Sequence, residues 1–417
     1  MNLPALKDLE IKSGARILVR AGFDVPVERG QVQDDFRIRG ALPTLDFLVG
    51  KDATPIIICH LGRPSGWDEN SSIEPVAKKL AEVWKRKFII VDEKVKQLPD
   101  YPIPHLYFFK IDILKHDFKK LLDQMRAKDA AIFENLRFYE GEEANDPEFA
   151  KKLASFGRAY VNEAFSASHR KHASIDAITK FLPAVAGFEF AKEISALGRV
   201  LVNPKKPVVI MMGGIKLSDK APAVSNLAKL SDHILLGGGL ASLFFKIRGF
   251  NVGKSVLAEV GEEKVASEIW RNHKDKIKLP LDVVVSTAKD GEPECVLPHQ
   301  IKPHQMILDI GPKTIQEYSK YIKEAKTLVW NGPMGYFESK QFSHGTFALA
   351  RLFASRTKTS VFGLVGGGET LEVIRRGHLD QYIDHVSSGG GAMLDFLAGR
   401  DFPGLEALLK SKINVKV

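Results

Sequence analysis

Two sets of residues in this chain have types and spacings that can do chemistry. The first is a series of cations that follow apolar runs. Arg37 and Arg39 come after the run at 16–20, and His60-Leu61-Gly62-Arg63-Pro64 comes directly after PIIIC. Arg137 comes after AAIFENL, and His169-Arg170-Lys171-His172 after AYVNEAF. Guanidinium forks match the paired oxygens of carboxylates and phosphates, so arginines that converge make an anion pocket. Any one of them alone is an ordinary surface ion pair. Together they predict a small polyanionic substrate. His169 and His172 invite a metal reading, but Arg170 and Lys171 between them repel a cation.

The second set is glycines. PVVIMM runs into Gly213-Gly214, DHILL into Gly237-Gly238-Gly239, and LVW into Asn331-Gly332-Pro333. FGLV runs into Gly366-Gly367-Gly368, and DHVSS into Gly389-Gly390-Gly391. One such cluster is a tight turn. Five of them after apolar runs predict a rim where backbone must approach a large ligand, with a nucleotide as the first candidate. Lys216 and Lys220 lie four apart in GGIKLSDK, which places them on one face of a first helical turn. There one lysine can hold nucleotide phosphates while the other meets charge on a phosphoryl group in transfer. Two common nucleotide motifs are excluded. Gly249-Phe250-Asn251-Val252-Gly253-Lys254-Ser255 has three residues between its glycines where a phosphate loop needs four, and no G-x-G-x-x-G follows the first apolar run of either half.

These residues need a scaffold that brings strand ends together. Short β-branched runs alternate with helical periodicity along the whole chain. Strands are predicted at 16–20, 55–60, 88–92, 130–134 and 157–161 in the first half. In the second half they fall at 207–212, 232–236, 281–286, 326–330, 360–365 and 384–387. Helices fit between them, for example at 73–86, 146–155, 218–230, 262–275 and 343–356. Continuous apolar strands alternating with helices make parallel sheets covered on both faces. The fold class expected is therefore α/β, with two doubly wound, Rossmann-like parallel-sheet domains. The stretch 182–201 reads as one amphipathic helix joining them, on which they can hinge. The expected division is 1–185, a connecting helix at 186–203, a second domain at 204–400, and a tail at 401–417 that packs back on the first domain.

Composition narrows the classes. The chain has 417 residues, 27% charged and 44% hydrophobic, with a net charge of +9. Fibrous, disordered and disulfide-stapled proteins are excluded. The excess of basic residues is dispersed among acids, with no long Lys/Arg block, so no nucleic-acid partner is expected. Cys59 and Cys295 are the only cysteines, which suits a reducing compartment. Charges at Lys7, Asp8, Glu10, Lys12 and Arg16 interrupt any leader-like run, and no stretch reaches the ~18 apolar residues of a membrane span. A cytoplasmic protein with no membrane partner is the expectation.

The motifs, in order, resemble those of the phosphoglycerate kinase family: DDFRIRGALPT (34–44), HLGRP (60–64), ENLRF (134–138), GGIKLSDK (213–220), LLGGGLA (235–241), DIGP (309–312), WNGPMGYFE (330–338), GGGET (366–370) and SSGGGA (387–392). The resemblance implies reversible phosphoryl transfer between 1,3-bisphosphoglycerate and MgADP, giving 3-phosphoglycerate and MgATP, by a monomer. It implies that Gly22, Phe23, Asp24, Arg37, His60, Leu61, Gly62, Arg63, Arg137 and Arg170 surround the phosphoglycerate. It assigns the nucleotide to Gly214, Lys216, Lys220, Gly238, Gly239, Gly311, Asn331, Glu338, Gly367, Gly368, Glu369 and Thr370, with Glu338 near the ribose. Arg37 and Lys216 would stabilise the transferring group, and Glu369 would reach magnesium through the bound nucleotide. The sequence departs from the family pattern at four positions. Gly22 stands for an aspartate, Asp24 for an asparagine, and Glu369 and Glu163 each for an aspartate. Losing a hydrogen-bonding carboxylate costs ~1–3 kcal/mol, so two other readings stay open: a nucleotide- or metabolite-binding homologue with weakened catalysis, and a kinase for a different acyl phosphate.

Overall fold

The computed structural model describes residues 3–99, 102–218, 220–257 and 261–411. The chain divides into two compact units. One takes Met1–Ile194 together with Asp401–Val417, and the other takes Ser195–Arg400. The division falls inside a helix, and positions 412–417 of the predicted tail lie outside the described residues.

In the first unit the strands are β1 (Arg16–Ala21), a small hairpin of β2 (Val27–Glu28) and β3 (Gln31–Val32), β4 (Thr54–Ile58), β5 (Lys87–Val91), β6 (His105–Phe109), β7 (Ala130–Phe133), β8 (Ala159–Glu163) and β9 (Ala184–Ala186). Its helices are α1 (Phe36–Gly50), α2 (Glu74–Val83), α3 (Lys119–Leu122), α4 (Glu140–Glu143), α5 (Pro147–Ala154) and the start of α6 (Phe188–Leu201). Seven strands form one sheet in the order β5-β6-β7-β4-β1-β8-β9, every neighbouring pair parallel. The strand β1 sits where the order reverses, with β4 on one side and β8 on the other. In such sheets ligands bind beyond the carboxyl ends at that crevice.

The second unit holds β10 (Val208–Met212), β11 (His233–Leu236), β12 (Ile277–Lys278), β13 (Val283–Ser286), β14 (Glu294–Val296), β15 (Met306–Ile310), β16 (Thr327–Asn331), β17 (Phe362–Gly366) and β18 (His385–Val386). Between them run α7 (Ala221–Leu230), α8 (Gly238–Ile247), α9 (Glu262–His273), α10 (Pro312–Glu324), α11 (His344–Arg356), α12 (Gly368–Arg376) and α13 (Gly391–Leu397). Six strands form a parallel sheet, β12-β11-β10-β16-β17-β18. The α/β class with two parallel sheets is as expected from the sequence.

Three local departures have physical causes. The run at 281–286 is not part of the parallel sheet; β13 pairs antiparallel with β14 and β15 in a separate three-stranded sheet. The predicted helix over 182–201 begins only at Phe188. Ala184–Ala186, fully buried, continues the sheet as β9 beside β8. A turn at Gly187 follows, where a Cβ would lie 1.9 Å from Glu163 Oε2. The helix α1, which carries Arg37, lies between the strands predicted at 16–20 and 55–60, in a stretch for which no element is named above. Its inward residues Ile38, Ala41, Leu45 and Leu48 have helical spacing, although Gly40 and Pro43 interrupt the run.

After Arg400 the chain returns to the first unit as α14 (Pro403–Lys410). Phe402 stacks on Phe165 with ring centroids 5.2 Å apart, and Leu405, Ala407 and Leu408 are buried. The Gly404 N–H donates to Ser168 O at 2.9 Å.

Candidate active site

In the first unit the segments after β1, β4, β7 and β8 all leave the carboxyl edge of the sheet. Beneath them lies a charged network that the sequence did not reveal. Arg20, near the end of β1, is fully buried. Its Nε donates to Ser174 Oγ at 2.7 Å and its Nη1 to Ala21 O at 2.7 Å. Its Nη2 lies 2.9 Å from His60 Nδ1. Glu142, buried on α4, accepts from Ser174 N at 3.0 Å and Ser174 Oγ at 2.6 Å, and stands 3.8 Å from Arg20.

This network sets the protonation of the histidines. An arginine can only donate, so His60 Nδ1 accepts and its proton sits on Nε2. Burial, then Arg20 and Arg137, hold the His60 pKa well below 6.5. Burial and the same arginines push His172 down to about 3. Both were counted in the sequence as members of a cationic cluster; both are neutral, because taking a charge out of water beside fixed guanidinium groups costs more than it returns.

The cationic part of the rim is therefore arginine. Arg137 is buried on the turn after β7 and pairs with Glu143 at 2.5 Å, while its Nε and Nη2 are buried with no hydrogen-bond partner. Arg170 is half-buried, its Nε donating to His169 Nε2 at 3.2 Å. The α1 residue Arg37 donates to the Asp24 carbonyl. Arg63 is exposed in the loop after His60. The Asp24 carboxylate accepts from Gly62 N at 2.9 Å and lies 3.8 Å from His60 Nε2. At Gly22 a Cβ would meet Ser166 Oγ at 3.1 Å and Ala164 Cα at 3.5 Å.

Two residues expected around the triose do not present side chains to it. Phe23 is fully buried in the core against the sheet. Leu61 is buried, and its N–H and C=O are both taken by the Asn135 side chain, at 3.2 and 2.8 Å. Apolar side chains beside a polyanion site fill the core, and here they do.

In the second unit a cavity of about 660 Å³ opens at the carboxyl ends of β10, β16, β17 and β18. Lys216, Lys220, Asn331, Gly367, Gly368, Glu369 and Thr370 line it, with Gly390, Gly391, Asp395 and Arg400. A cleft of about 220 Å³ shares Ile215 and Glu369 with it and continues along Gly214, Gly238, Gly239, Leu308 and Glu338. Ile307 and Leu308 on β15 and Val256 add apolar walls that sequence reasoning did not name.

The glycines divide into two jobs. At Gly213 a Cβ would lie 1.8 Å from Pro333 O, at Gly237 2.6 Å from Met334 Sδ, and at Gly332 2.3 Å from Gly213 O. These lock three loops together by close backbone approach. Gly368, Gly390 and Gly391 face open space and leave room for a ligand over the start of α12. Gly311 belongs to neither group and lines neither cavity. It caps α10, and a Cβ there would strike the Asp282 carboxylate at 2.3–2.6 Å. That carboxylate already accepts from Lys313 N and Thr314 N at 3.0 and 2.8 Å.

Lys216 and Lys220 reach the cavity from a loop rather than from one helical turn. Pro222 fixes the start of α7 at Ala221, and the Glu262 carboxylate draws the preceding Leu217 and Ser218 N–H groups away at 3.1 and 2.6 Å. Asp219 lies outside the described residues. Lys220 Nζ donates to Gly213 O at 2.7 Å. A Cβ at Gly214 would lie 2.7 Å from Lys220 Nζ and 3.4 Å from Glu369 Oε2, so ammonium and carboxylate both border the same bare backbone. Among the described residues no group of three or more His, Cys, Asp or Glu could hold a metal ion unaided. The exposed Glu369 carboxylate at the edge of this cavity suits instead a magnesium that arrives with its own phosphate ligands.

The comparisons agree on one family. A model of the phosphoglycerate kinase family matches residues 6–400. Phosphoglycerate kinase from Pelotomaculum thermopropionicum is 38% identical over 410 residues, covering 97% of this chain and 98% of that one. The enzyme of that name from Dictyoglomus turgidum is 39% identical over 408 residues, 97% of each. Among solved structures, phosphoglycerate kinase from Coxiella burnetii matches with a TM-score of 0.82 and 31% identity over 98% of this chain and 99% of its own. The Pyrococcus horikoshii OT3 structure matches at 0.80 and 29% identity over 98% of each.

Proposed function

The chain belongs to the phosphoglycerate kinase family, and from that premise we propose how its two rims share the work. Its reaction is reversible phosphoryl transfer between the acyl phosphate of 1,3-bisphosphoglycerate and ADP, giving 3-phosphoglycerate and ATP. Arg37, His60, Arg63, Arg137 and Arg170 hold the phosphoglycerate. The observation that carries this is Arg137, whose Nε and Nη2 are buried without a partner. Each unmade bond of that kind costs ~1–3 kcal/mol until an anion fills it. His60 serves as a neutral Nε2–H donor, held in that tautomer by Arg20.

The nucleotide phosphates lie over the amino end of α12, at Gly367, Gly368 and Thr370, with Lys220 at their side. The base and ribose take the apolar cleft toward Leu308 and Glu338. Magnesium bound with the nucleotide would neutralise phosphate charge, and Glu369 would hold it. The attacking oxygen is an anion in both directions, so no general base and no covalent enzyme intermediate is needed. Catalysis is alignment plus neutralisation of the charge on the transferring group, by Lys216 from the cavity wall and Arg37 from the triose rim. A cytoplasmic monomer is the setting we propose, consistent with two free cysteines, one of them exposed.

A coupled assay with ATP, magnesium and 3-phosphoglycerate tests the reaction. Arg137→Ala tests the pocket: it raises KM for 3-phosphoglycerate at least tenfold and leaves ADP binding unchanged. An unaltered KM for 3-phosphoglycerate refutes the assignment.

A further inference from the structure

The cavity wall carries a third cation that neither the sequence motifs nor the proposed roles account for. Arg400 follows α13, whose own carboxyl end is closed by a Schellman motif. Gly399, at φ +72°, turns the chain. The Arg400 N–H donates to Asp395 O at 3.1 Å and the Gly399 N–H to Phe396 O at 3.0 Å. Asn226 Nδ2 takes the Leu397 carbonyl at 2.8 Å. The backbone of Arg400 is thereby fixed at the edge of the cavity while its side chain stays 58% exposed.

Among the described residues that side chain makes one hydrogen bond, from Nη1 to Asp395 Oδ1 at 2.6 Å, and Asp395 lines the same cavity. A guanidinium has five N–H donors, so most of its capacity is unspent. The cavity holds Lys216 and Lys220 against Glu369 and Asp395. Without Arg400 its side-chain charges cancel, which is a poor match for a diphosphate.

We propose that Arg400 is a phosphate-binding residue of the nucleotide site, turning its guanidinium from Asp395 to the phosphate tail when nucleotide enters. This rests on the assignment of the cavity as the phosphate end. An exposed surface pair is easily exchanged, and a charge-assisted bond to phosphate is stronger than the pair it replaces. Arginine suits the task better than lysine because its fork meets two phosphate oxygens together.

Calorimetric titration of ADP and of adenosine into the full chain, its Arg400→Ala and Arg400→Lys variants, and Lys220→Ala tests this. Arg400→Ala weakens ADP about tenfold and leaves adenosine within twofold, and Arg400→Lys falls between. The ADP loss shrinks as salt is raised. Thermal midpoints without ligand check that each variant is folded. The proposal is overturned if Lys220→Ala weakens ADP and Arg400→Ala does not, or if adenosine weakens as much as ADP. If neither variant affects ADP, the assignment of the cavity falls, and this proposal with it.

Discussion

Glu163 offers a quantitative test of how burial governs this molecule. It ends β8, is 4% exposed, and receives Thr44 Oγ1 at 2.6 Å and the N–H groups of Glu189 and Phe190 at 3.1 and 3.3 Å. It is the amino-terminal cap of α6, the helix within which one unit gives way to the other. Burial pushes its pKa from an ordinary 4.5 up to about 7, against those hydrogen bonds and with help from the charge of Glu189. The folded state thus keeps a proton that the unfolded chain releases near 4.5. Stability from this site is complete below 4.5 and is lost as pH rises through about 7. At ~1.4 kcal/mol per pH unit, the interval amounts to roughly 3 kcal/mol. Glu163→Gln removes the titration while its amide oxygen still accepts from Thr44 and Glu189. Part of that loss is already complete at pH 5, so the variant gains about 2.5 kcal/mol on the native chain between pH 5 and pH 8. Asp309, in the other unit, is also pushed up to about 7 by burial, but it is present in both proteins and cancels in the difference. Hydrogen–deuterium exchange of peptides from β8 and the start of α6 reads the first unit alone, and comparison at equal pH removes the intrinsic rate. A difference that stays constant from pH 5 to 8, or that grows in favour of glutamate, refutes the reasoning.

Other outcomes follow from the same geometry. Lys216→Ala lowers kcat by ~10²–10³ in the coupled assay if that ammonium meets the transferring group; a loss below tenfold removes it from that role. Gly22→Asp with Asp24→Asn raises kcat/KM for 3-phosphoglycerate by about tenfold, once Ser166 Oγ shifts to admit the new Cβ. An unchanged value would show that Asp24, 3.8 Å from His60, already compensates. Because His60 and His172 are neutral, KM for 3-phosphoglycerate is flat between about pH 6 and 8; an inflection near 6.5 that vanishes in His60→Gln contradicts their assignment. Gly213→Ala, with a Cβ 1.8 Å from Pro333 O, lowers thermal stability and displaces the cavity floor, whereas Gly391→Ala, at a position with open space around its Cβ and no positive φ, leaves the midpoint largely unchanged.

The parts of the fold visible in the sequence were those governed by local pattern. Strands such as β4 and β10 are uninterrupted apolar runs, and they announce a parallel sheet by themselves. The strand β6 does not stand out in the sequence, because its five residues begin with a histidine and follow prolines, although all five are buried. Arg37, Arg137 and Arg170 were visible as cations at strand ends. The neutrality of His60 was not, because it depends on Arg20, Ser174 and Glu142, which only folding brings together. Glycine clusters mark the carboxyl ends of the second sheet as a group, but they do not say what each glycine does. Gly213 and Gly332 serve each other, Gly311 serves Asp282, and Gly368 and Gly390 face the cavity. That distinction is one of three-dimensional crowding, which spacing along a chain does not encode.

The return of α14 to the first unit has a consequence for how the protein is made. Every residue of the second unit has been synthesised once Arg400 is added, whereas the first unit still lacks Phe402, Leu405 and Leu408. Until those arrive, Phe165 has the edge of Phe190 but lacks the stacked ring of Phe402, and Ser168 O lacks the Gly404 N–H. The half that begins to be translated first is therefore the half that finishes folding last. During that interval the loop bearing His169 and Arg170 waits, incompletely buttressed, for α14.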